Sequence, residues 1–216
     1  MRLKLKTYQQ QLANWPESGR HIMAQYDSDR IVVYQAYRPA IGHFAAQHQF
    51  FGGEFKRDRM TWIKPNFLWV MYRSGWGSKP DQEVTLAIHL KRSAFEQYLR
   101  ASVKSSFDAS KNDHYEAWKT AVAQSDCRSQ WDPDHGPYGE KLERRAVQLG
   151  IRKSLVATYV KEDILEIEDI SDYVARQRNF VRLKQLGKLE TPEEHRLKLD
   201  DIALATHLNL DEHGTE

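Results

Sequence analysis

Cysteine, long apolar runs and secretion signals are what this chain of 216 residues lacks most clearly. Its single cysteine, Cys127, excludes an internal disulfide bond and any cluster of thiolates around zinc. No apolar run is long enough to span a bilayer, and the basic segment 1–19 has neither the continuous apolar core nor the cleavage site of a secretory signal. We therefore expect a protein of the cytoplasm that has no membrane partner.

Standard catalytic motifs are missing as well. The chain contains no P-loop, no G-x-G-x-x-G, no G-x-S-x-G and no H-E-x-x-H, which argues against most familiar enzyme classes. Histidines and aspartates come close together in HFAAQHQF (43–50) and in DPDHG (132–136), but a closed metal site normally needs three or four convergent ligands. The sequence predicts no metal site.

Charge is nearly balanced overall but unevenly placed. The formal net charge is +2, which is too small to hold nucleic acid by itself. Residues 54–80 carry six lysines and arginines against two acids, whereas residues 161–172 carry six acids against one lysine. A positive region and a negative region are thus both available to partners, although a solvated face is the commoner meaning of either.

Strand and helix signals alternate along the chain, which indicates a mixed α+β fold. Runs of β-branched and aromatic residues predict strands at 31–37, 60–63, 84–91, 145–151 and 164–170. Helices are predicted to begin at Pro39 and to run over 66–74. A third is predicted to begin with Ser93 as its N-cap and Glu96 completing a capping box.

The Gly-rich phosphate turn of a doubly wound fold is absent from this alternation. We therefore predict one domain over 1–175 with a central, largely antiparallel sheet flanked by helices. Residues 176–216 are predicted to form a helical C-terminal extension, in which Thr191 caps a helix and Pro192 occupies its first position.

The stretch EFKRDRMTWIKPNFLWVMYRSGWGSKP (54–80) contains three of the six tryptophans of the chain. Tryptophans are core residues in most proteins, so core packing explains these rings as well as a binding site does. A charge among apolar residues needs a partner or costs desolvation energy. An anionic ligand would supply that partner for four cations of the stretch: Arg57, Arg59, Lys64 and Arg73.

Side chains at the end of the strand 31–37 extend this set with Tyr34, Tyr37 and Arg38. Arginine binds phosphate through two parallel hydrogen bonds, lysine adds a point charge, and aromatic rings stack on bases. The combination fits a nucleotide or a nucleic acid, and it does not identify a reaction.

Several longer motifs resemble a known family in their order along the chain. They are VVYQAYRP, FKRDRMTWIKPNFLWVMYRSGWG, VTLAIHLKRSAFEQYL, QWDPDHGP and RAVQLGI, and they extend from about residue 20 to residue 175. Together they resemble the family of domains of unknown function numbered 4291 (DUF4291). The resemblance implies no activity, and the motifs do not cover the tail after Ser171.

A more general similarity connects the layout to ADP-ribosyltransferase-like folds, in which a strand-end arginine, an aromatic motif and a late strand with Gln or Glu form the site. That similarity implies that Arg38 holds the pyrophosphate of NAD and that Tyr72 or Trp62 stacks on the nicotinamide. Gln148 would stand where those enzymes usually have glutamate. Glutamine cannot act as a carboxylate base, and this difference argues against transferase activity.

We consider three hypotheses. The first is an enzyme acting on a nucleotide or nucleic acid, with NAD as a possible cofactor. Its candidate catalytic residues are Arg38, Asp58, Lys64 and Gln148, where Asp58 is either a base or the ion-pair partner of Arg57. Its candidate ligand-binding residues are Tyr34, Tyr37, Arg57, Arg59, Trp62, Tyr72, Arg73 and Trp76.

The second hypothesis is a non-catalytic module for RNA or single-stranded DNA that uses the same residues as a charged groove with stacking platforms. The third is a scaffold without a ligand, in which acids at 162–172 neutralise the cations of 54–80. The steep salt dependence of nucleic-acid binding distinguishes the second hypothesis from the first.

Overall fold

The structure is a computed structural model and describes residues 3–107, 109 and 114–211. The strands are β1 Leu5–Thr7, β2 Gly19–Arg20, β3 Met23–Ala24, β4 Arg30–Tyr37, β5 Thr61–Ile63, β6 Val84–Lys91, β7 Ser102–Lys104, β8 Cys127–His135, β9 Lys141–Ile151, β10 Ile164–Asp169, β11 Glu190–Pro192 and β12 His195–Arg196. The helices are α1 Tyr8–Leu12, α2 Pro39–His48, α3 Phe67–Ser74, α4 Arg92–Ala101, α5 Tyr115–Gln124, α6 Ser154–Thr158, α7 Ser171–Arg182 and α8 Ile202–Leu208. A π-helical turn covers Tyr159–Asp163, and a 3-10 turn covers Leu186–Lys188.

Two sheets form the body of the fold. The first has the strand order β10-β6-β4, and both of its pairings are antiparallel. The second has the order β2-β9-β8-β7, with β5 also paired to β9. Its central pair, β8 and β9, is antiparallel, and so is the pairing of β5 with β9, while β2 and β7 are joined by parallel pairings. The predicted α+β fold with a largely antiparallel sheet is confirmed.

Strands β4 and β6 are buried on both faces, which explains their almost continuous apolar sequences. Ile31 and Val33 of β4 face one apolar cluster, whereas Val32 and Tyr34 face a second. All four residues are 0% exposed. The first sheet therefore lies between two cores, and β4 reaches solvent only near its ends, at Arg30 and toward the exposed Arg38.

Helix α3 follows β5 after a short turn, and both of its ends are defined by local signals. The Asn66 side chain accepts a hydrogen bond from Trp69 N at 2.8 Å, and Gly75 ends the helix with a φ of 59°. The helix is buried along its length except at Tyr72 and Arg73. The prediction of a helix ending at Gly75 is confirmed, and its two exposed side chains are available at the surface.

The predicted N-cap of α4 is wrong. The helix begins one residue earlier, at Arg92, and no side chain caps it. The Arg92 backbone N–H donates instead to Asp29 O at 2.8 Å, and its side chain donates to Glu96 at 2.9 Å. Because the strand β6 leads directly into the helix, these contacts replace the capping box that Ser93 and Glu96 would have formed.

The helix predicted to begin at Thr191 is also wrong, because residues 190–196 form β11 and β12 instead. Thr191 Oγ1 accepts a hydrogen bond from Gln11 Nε2 at 2.7 Å, and Pro192 pairs with Leu5 of β1. The two partners of the hydrogen bond are 180 residues apart in the chain, so pairing between distant segments overrides the local helix-capping signal. The tail becomes helical again only at α8, which Asp201 caps.

Candidate functional site

Two neighbouring clefts contain most of the predicted site residues. We name the first the β4 cleft; it has a volume of about 500 Å³, and its lining includes Gln35, Tyr37, Arg38, Glu54, Lys56, Arg59, Thr61, Trp62 and Lys64. We name the second the α3 cleft; it has a volume of about 530 Å³ and is lined by Trp62, Lys64, Trp69, Tyr72, Arg73, Gln130, Asp132, Pro133, His135, Lys141 and Gln148. Trp62 and Lys64 line both clefts, so the two clefts are neighbours.

The floor of the β4 cleft is held by a chain of hydrogen bonds. Tyr159 OH donates to Gln35 Oε1 at 2.7 Å, and Gln35 Nε2 donates to Thr61 Oγ1 at 2.9 Å. The Tyr37 hydroxyl lies 3.0 Å from the same Thr61 oxygen. Burial raises the pKa of Tyr37 far above its usual value. Tyr37 is therefore a neutral group of the floor, and its ring packs on Phe51 at a centroid distance of 5.4 Å.

The rim of the β4 cleft is positively charged. Arg38, at the end of β4, forms an ion pair with Glu54, and both side chains are about half exposed, at 45% and 58%. Lys56 and Arg59 are on the same rim, and neither forms an ion pair with another residue of the described part of the chain. Arg38 thus has an internal anion, whereas Lys56 and Arg59 are available to an external one.

Lys64 lies where the two clefts meet. Its Nζ is 3.4 Å from Trp62 O and 5.2 Å from the centre of the Trp69 ring. Burial lowers the pKa of Lys64 to about 8, and the nearby Arg73 lowers it further than Asp132 raises it. Roughly a tenth of the Lys64 side chains are then neutral at pH 7. A partly neutral lysine serves as a proton acceptor or as a nucleophile.

The floor of the α3 cleft is one face of the β8 and β9 pair. Gln130 and Asp132 are two residues apart on β8 and therefore lie on the same face, and Gln148 lies opposite Gln130 on β9. Gln130 Nε2 donates to Asp132 Oδ1 at 2.8 Å, and Gln148 Nε2 donates to Asp132 Oδ2 at 2.7 Å. The structure thus places the carboxylate of Asp132 beside Gln148.

The Trp62 ring approaches β9 closely at Gly150, where there is no side chain. Trp62 pairs with Gly150 across β5 and β9, and a Cβ at Gly150 would be 2.9 Å from the Trp62 ring and 2.7 Å from Met60 Sδ. No larger residue leaves room for the ring in this position. The absence of a side chain at Gly150 therefore sets the orientation of the ring that separates the two clefts.

The far wall of the α3 cleft consists of stacked rings. Tyr72 lies parallel to His135, with a centroid distance of 3.5 Å and an interplanar angle of 8°. Burial lowers the pKa of His135, so its ring is neutral at pH 7. Trp69 Nε1 and both ring nitrogens of His135 are buried and have no hydrogen-bond partner among the described residues. These nitrogens are also closed to solvent, so they are unsatisfied atoms within the wall and not part of its accessible surface.

Four predicted residues lie outside both clefts. Tyr34 is fully buried and packs on Phe67 of α3, and Trp76 is buried with its Nε1 donating to Pro137 O at 3.1 Å. Arg57 and Asp58 are exposed beside the β4 cleft but do not line it, and Arg57 donates to Phe51 O at 3.3 Å. The first two are core residues and the second two are surface residues.

Sequence reasoning misses six residues of the α3 cleft, which are Pro133, Lys141, Trp69, Gln130, Asp132 and His135. A signal for the last two is present in DPDHG, where two aspartates and a histidine come close together. The prolines and glycines around this segment predict a loop, whereas the segment ends β8, where alternation places Asp132 and Gln130 on one face. Recognising QWD as a strand with two polar residues on the same face would find this pair.

The acids at 161–172 do not neutralise the cations of 54–80 within the described residues. Glu166 pairs with Arg30 at 3.8 Å, and Asp169 lies 3.2 Å from His43. Glu168 contacts the buried His89. Because these partners all lie outside 54–80, the proposed internal matching of the two charged regions does not occur in the described part of the chain.

Two further findings concern metal binding and membrane-spanning helices. Within residues 3–107, 109 and 114–211, no three His, Cys, Asp or Glu side chains come together in a group that could hold a metal ion. In the same part of the chain, no helix combines the length and the apolar character that crossing a bilayer requires.

The fold and the clefts define a single-chain α+β protein with a basic and aromatic surface site. A family model described as Domain of unknown function (DUF4291) matches residues 21–197, which is most of the chain. The protein belongs to the DUF4291 family, and the resemblance inferred from its motifs is confirmed. The match reaches past residue 175 and includes β11 and β12. No curated protein matches this chain.

Proposed function

We propose that this protein is an enzyme that acts on a nucleotide or on nucleic acid bound across the β4 cleft and the α3 cleft. The observation that supports the proposal is the position of Lys64, which belongs to both clefts and is partly neutral at pH 7. A group at such a junction can reach the bond between two parts of one ligand. Eight residues predicted from the sequence line these clefts: Tyr37, Arg38, Arg59, Trp62, Lys64, Tyr72, Arg73 and Gln148.

The roles follow from the chemistry of each side chain. Arg59 and Lys56 have no internal anion among the described residues, so they are the cations that bind phosphate. Trp62 and the Tyr72 ring of the α3 cleft supply flat surfaces for a base or another ring. Lys64 transfers a proton or attacks the ligand, and burial, with a smaller contribution from Arg73, keeps its pKa low.

NAD is the specific cofactor to test first under this proposal, as an ADP-ribosyltransferase-like mechanism would require. The observation that favours it is the pairing of Gln148 with Asp132, because a carboxylate then stands beside the glutamine. Asp132 would orient or stabilise the positive charge that develops on the ribose when the nicotinamide leaves.

The experiment is a thermal-shift screen against NAD, ATP, GTP and short RNA and DNA oligomers, at low and moderate salt, followed by a turnover assay with each ligand that binds. A ligand at a hundred times its dissociation constant stabilises the fold by about 2.7 kcal/mol. We expect a mononucleotide or dinucleotide to bind with little salt dependence. We expect Lys64→Met to lower turnover about 100-fold or more and Arg59→Ala to weaken binding.

Arg145→Ala is the matched control, because Arg145 is exposed on β9 and lines neither cleft. It removes the same charge as Arg59→Ala and should leave binding unchanged. Binding of oligomers alone, with a steep loss of affinity as salt rises and no turnover, would instead favour the nucleic-acid module. No response to any nucleotide or oligomer would reject the proposal and favour the hypothesis of a scaffold without a ligand.

A further inference from the structure

The α3 cleft presents an arc of oxygen atoms. An ionised carboxylate only accepts hydrogen bonds, so the amide NH₂ groups of Gln130 and Gln148 both turn toward Asp132. This fixes the orientation of both glutamines, and their carbonyl oxygens accept no hydrogen bond within the described part of the chain. Each carboxylate oxygen also retains a lone pair. The floor therefore selects a ligand whose edge carries several N–H donors.

The wall of the same cleft presents the opposite chemistry. Trp69 is 6% exposed and His135 is 3% exposed, and their ring nitrogens have no partner among the described residues. An indole nitrogen only donates, and a neutral imidazole donates from one of its two nitrogens. Lys64 adds a further donor at the border of the cleft. The ring nitrogens are closed to solvent, so the donors that a ligand in the cleft reaches are cationic lining residues such as Lys64 and Arg73, and the ligand needs acceptors for them.

We propose that the α3 cleft is a base pocket that selects guanine. Guanine has N–H donors at two adjacent positions of one edge, N1 and the exocyclic amine, and it has acceptors at O6 and N7. The donor edge suits Asp132 and the two glutamines, and the acceptors suit Lys64 and Arg73. Adenine, cytosine and uracil each have a donor at only one position of the pairing edge, so they leave part of the oxygen arc unsatisfied.

The neighbouring cleft extends this assignment to a guanine nucleotide. The β4 cleft adjoins the α3 cleft at Trp62 and Lys64, and Lys56 and Arg59 line it. A base in the α3 cleft places its phosphates toward these cations. This inference rests on the proposed function, since it names the class of nucleotide that the same site binds.

The test compares the affinities of the wild-type protein for GMP and GDP, for the inosine nucleotides IMP and IDP, and for AMP, ADP and NAD by calorimetry. Inosine lacks only the exocyclic amine, so we expect guanosine nucleotides to bind about 10-fold more tightly than inosine nucleotides. The comparison needs no variant and is therefore independent of any folding defect.

The variant Asp132→Asn replaces one carboxylate oxygen with a donor and releases the two glutamines. We expect it to abolish the preference for guanosine over inosine while GDP still binds through its phosphates. Equal affinities for guanosine and inosine nucleotides in the wild-type protein, or tighter binding of adenosine nucleotides or NAD, would overturn the assignment of guanine and leave the proposed nucleotide enzyme standing. Binding of none of these ligands would overturn both.

Discussion

Asp134 and Arg144 form a buried ion pair beside the α3 cleft, with Asp134 Oδ2 2.6 Å from Arg144 Nη2 and 2.8 Å from Nε. Both side chains are nearly inaccessible to solvent. The same carboxylate oxygen accepts a hydrogen bond from Asn66, the N-cap of α3, at 3.2 Å. The guanidinium also lies 5.1 Å from the centre of the Trp15 ring. This pair thus connects the start of α3 to the second sheet.

Removing one member of this pair should unfold much of the protein. Arg144→Met leaves the Asp134 carboxylate buried without its partner, which we expect to lower the free energy of unfolding by about 3–5 kcal/mol. Urea denaturation measures this change. Arg30→Ala is the control, because its pair with Glu166 is long, at 3.8 Å, and partly exposed; it should cost less than about 1 kcal/mol. Equal effects of the two substitutions would contradict the structural role of the buried pair.

Lys64 should destabilise the fold at neutral pH. Its pKa is about 8 in the folded protein and near 10.5 in an unfolded chain, so the unfolded chain binds more protons between these values. The penalty is complete below pH 8 and disappears as the pH rises to 10.5. We expect Lys64→Met to raise the free energy of unfolding at pH 7 by up to about 3 kcal/mol.

The measurement is the difference in free energy of unfolding between wild type and Lys64→Met at a series of pH values from about 6 to 10.5. The difference should shrink above pH 8, the folded pKa of Lys64. Lys141→Met serves as the control, since Lys141 lines the same cleft but is exposed. A difference that stays constant with pH would show that Lys64 has an ordinary pKa and would remove the basis for its catalytic role.

Glu194 should make stability fall as the pH rises. This residue is buried and accepts a hydrogen bond from the Phe67 backbone N–H at 2.6 Å. Burial raises its pKa well above the usual value, so the folded protein holds a proton that the unfolded chain releases above about pH 4.5. The resulting stability is present below that pH and is lost as the pH rises through the folded pKa.

Glu194→Gln keeps an acceptor for Phe67 N and stays neutral at every pH. Its melting temperature should therefore decrease less than that of the wild type between about pH 5 and pH 9. Glu193→Gln is a suitable comparison, because the neighbouring Glu193 lies in a partly exposed pair with Lys6. Parallel melting profiles for Glu194→Gln and the wild type would exclude a buried proton at this position.

Gly150→Ala should disturb the site without changing any charge. The added Cβ meets the Trp62 ring at 2.9 Å, so the ring that separates the two clefts has to move. Overpacking of this kind costs about 1–3 kcal/mol, and we expect nucleotide affinity to fall as well. Gly187→Ala is the control, because a Cβ added at Gly187 meets no atom within 4 Å. Unchanged affinity in Gly150→Ala would show that Trp62 does not contact the ligand.

Local signals predict the elements that surround the site. The Asn66 cap and Gly75 delimit α3, and the apolar runs of β4 and β6 mark strands, because each of these features acts within a few residues. The helix predicted at Thr191 and Pro192 is wrong since those residues pair with the chain near Leu5, and no local pattern reveals such a partner. Pairing between distant segments is therefore the part of the fold that the sequence does not predict.

The site itself is only partly predictable. The sequence places Trp62 and Tyr72 near Lys64 correctly, because a strand, a turn and a helix in succession bring them together. Tyr34 resembles a strand-end ligand residue but is buried, since β4 is covered on both faces and alternation cannot tell a cleft from a core. Asp132 belongs to β8, which lies much later in the chain than β5 and α3. Its position beside Gln148 depends on the register of β8 and β9.

The contact between Glu194 and Phe67 has a consequence for the order in which the protein forms during synthesis. The N-terminus of α3 receives this acceptor from a residue 127 positions later in the chain. Strand β1 likewise cannot pair until β11 has been synthesised, and Gln11 cannot form its hydrogen bond until Thr191 has been synthesised. A nascent chain that ended at residue 175 would lack all three contacts, so the N-terminus of α3 and the segment 5–11 reach their final surroundings only when nearly the whole polypeptide has been synthesised.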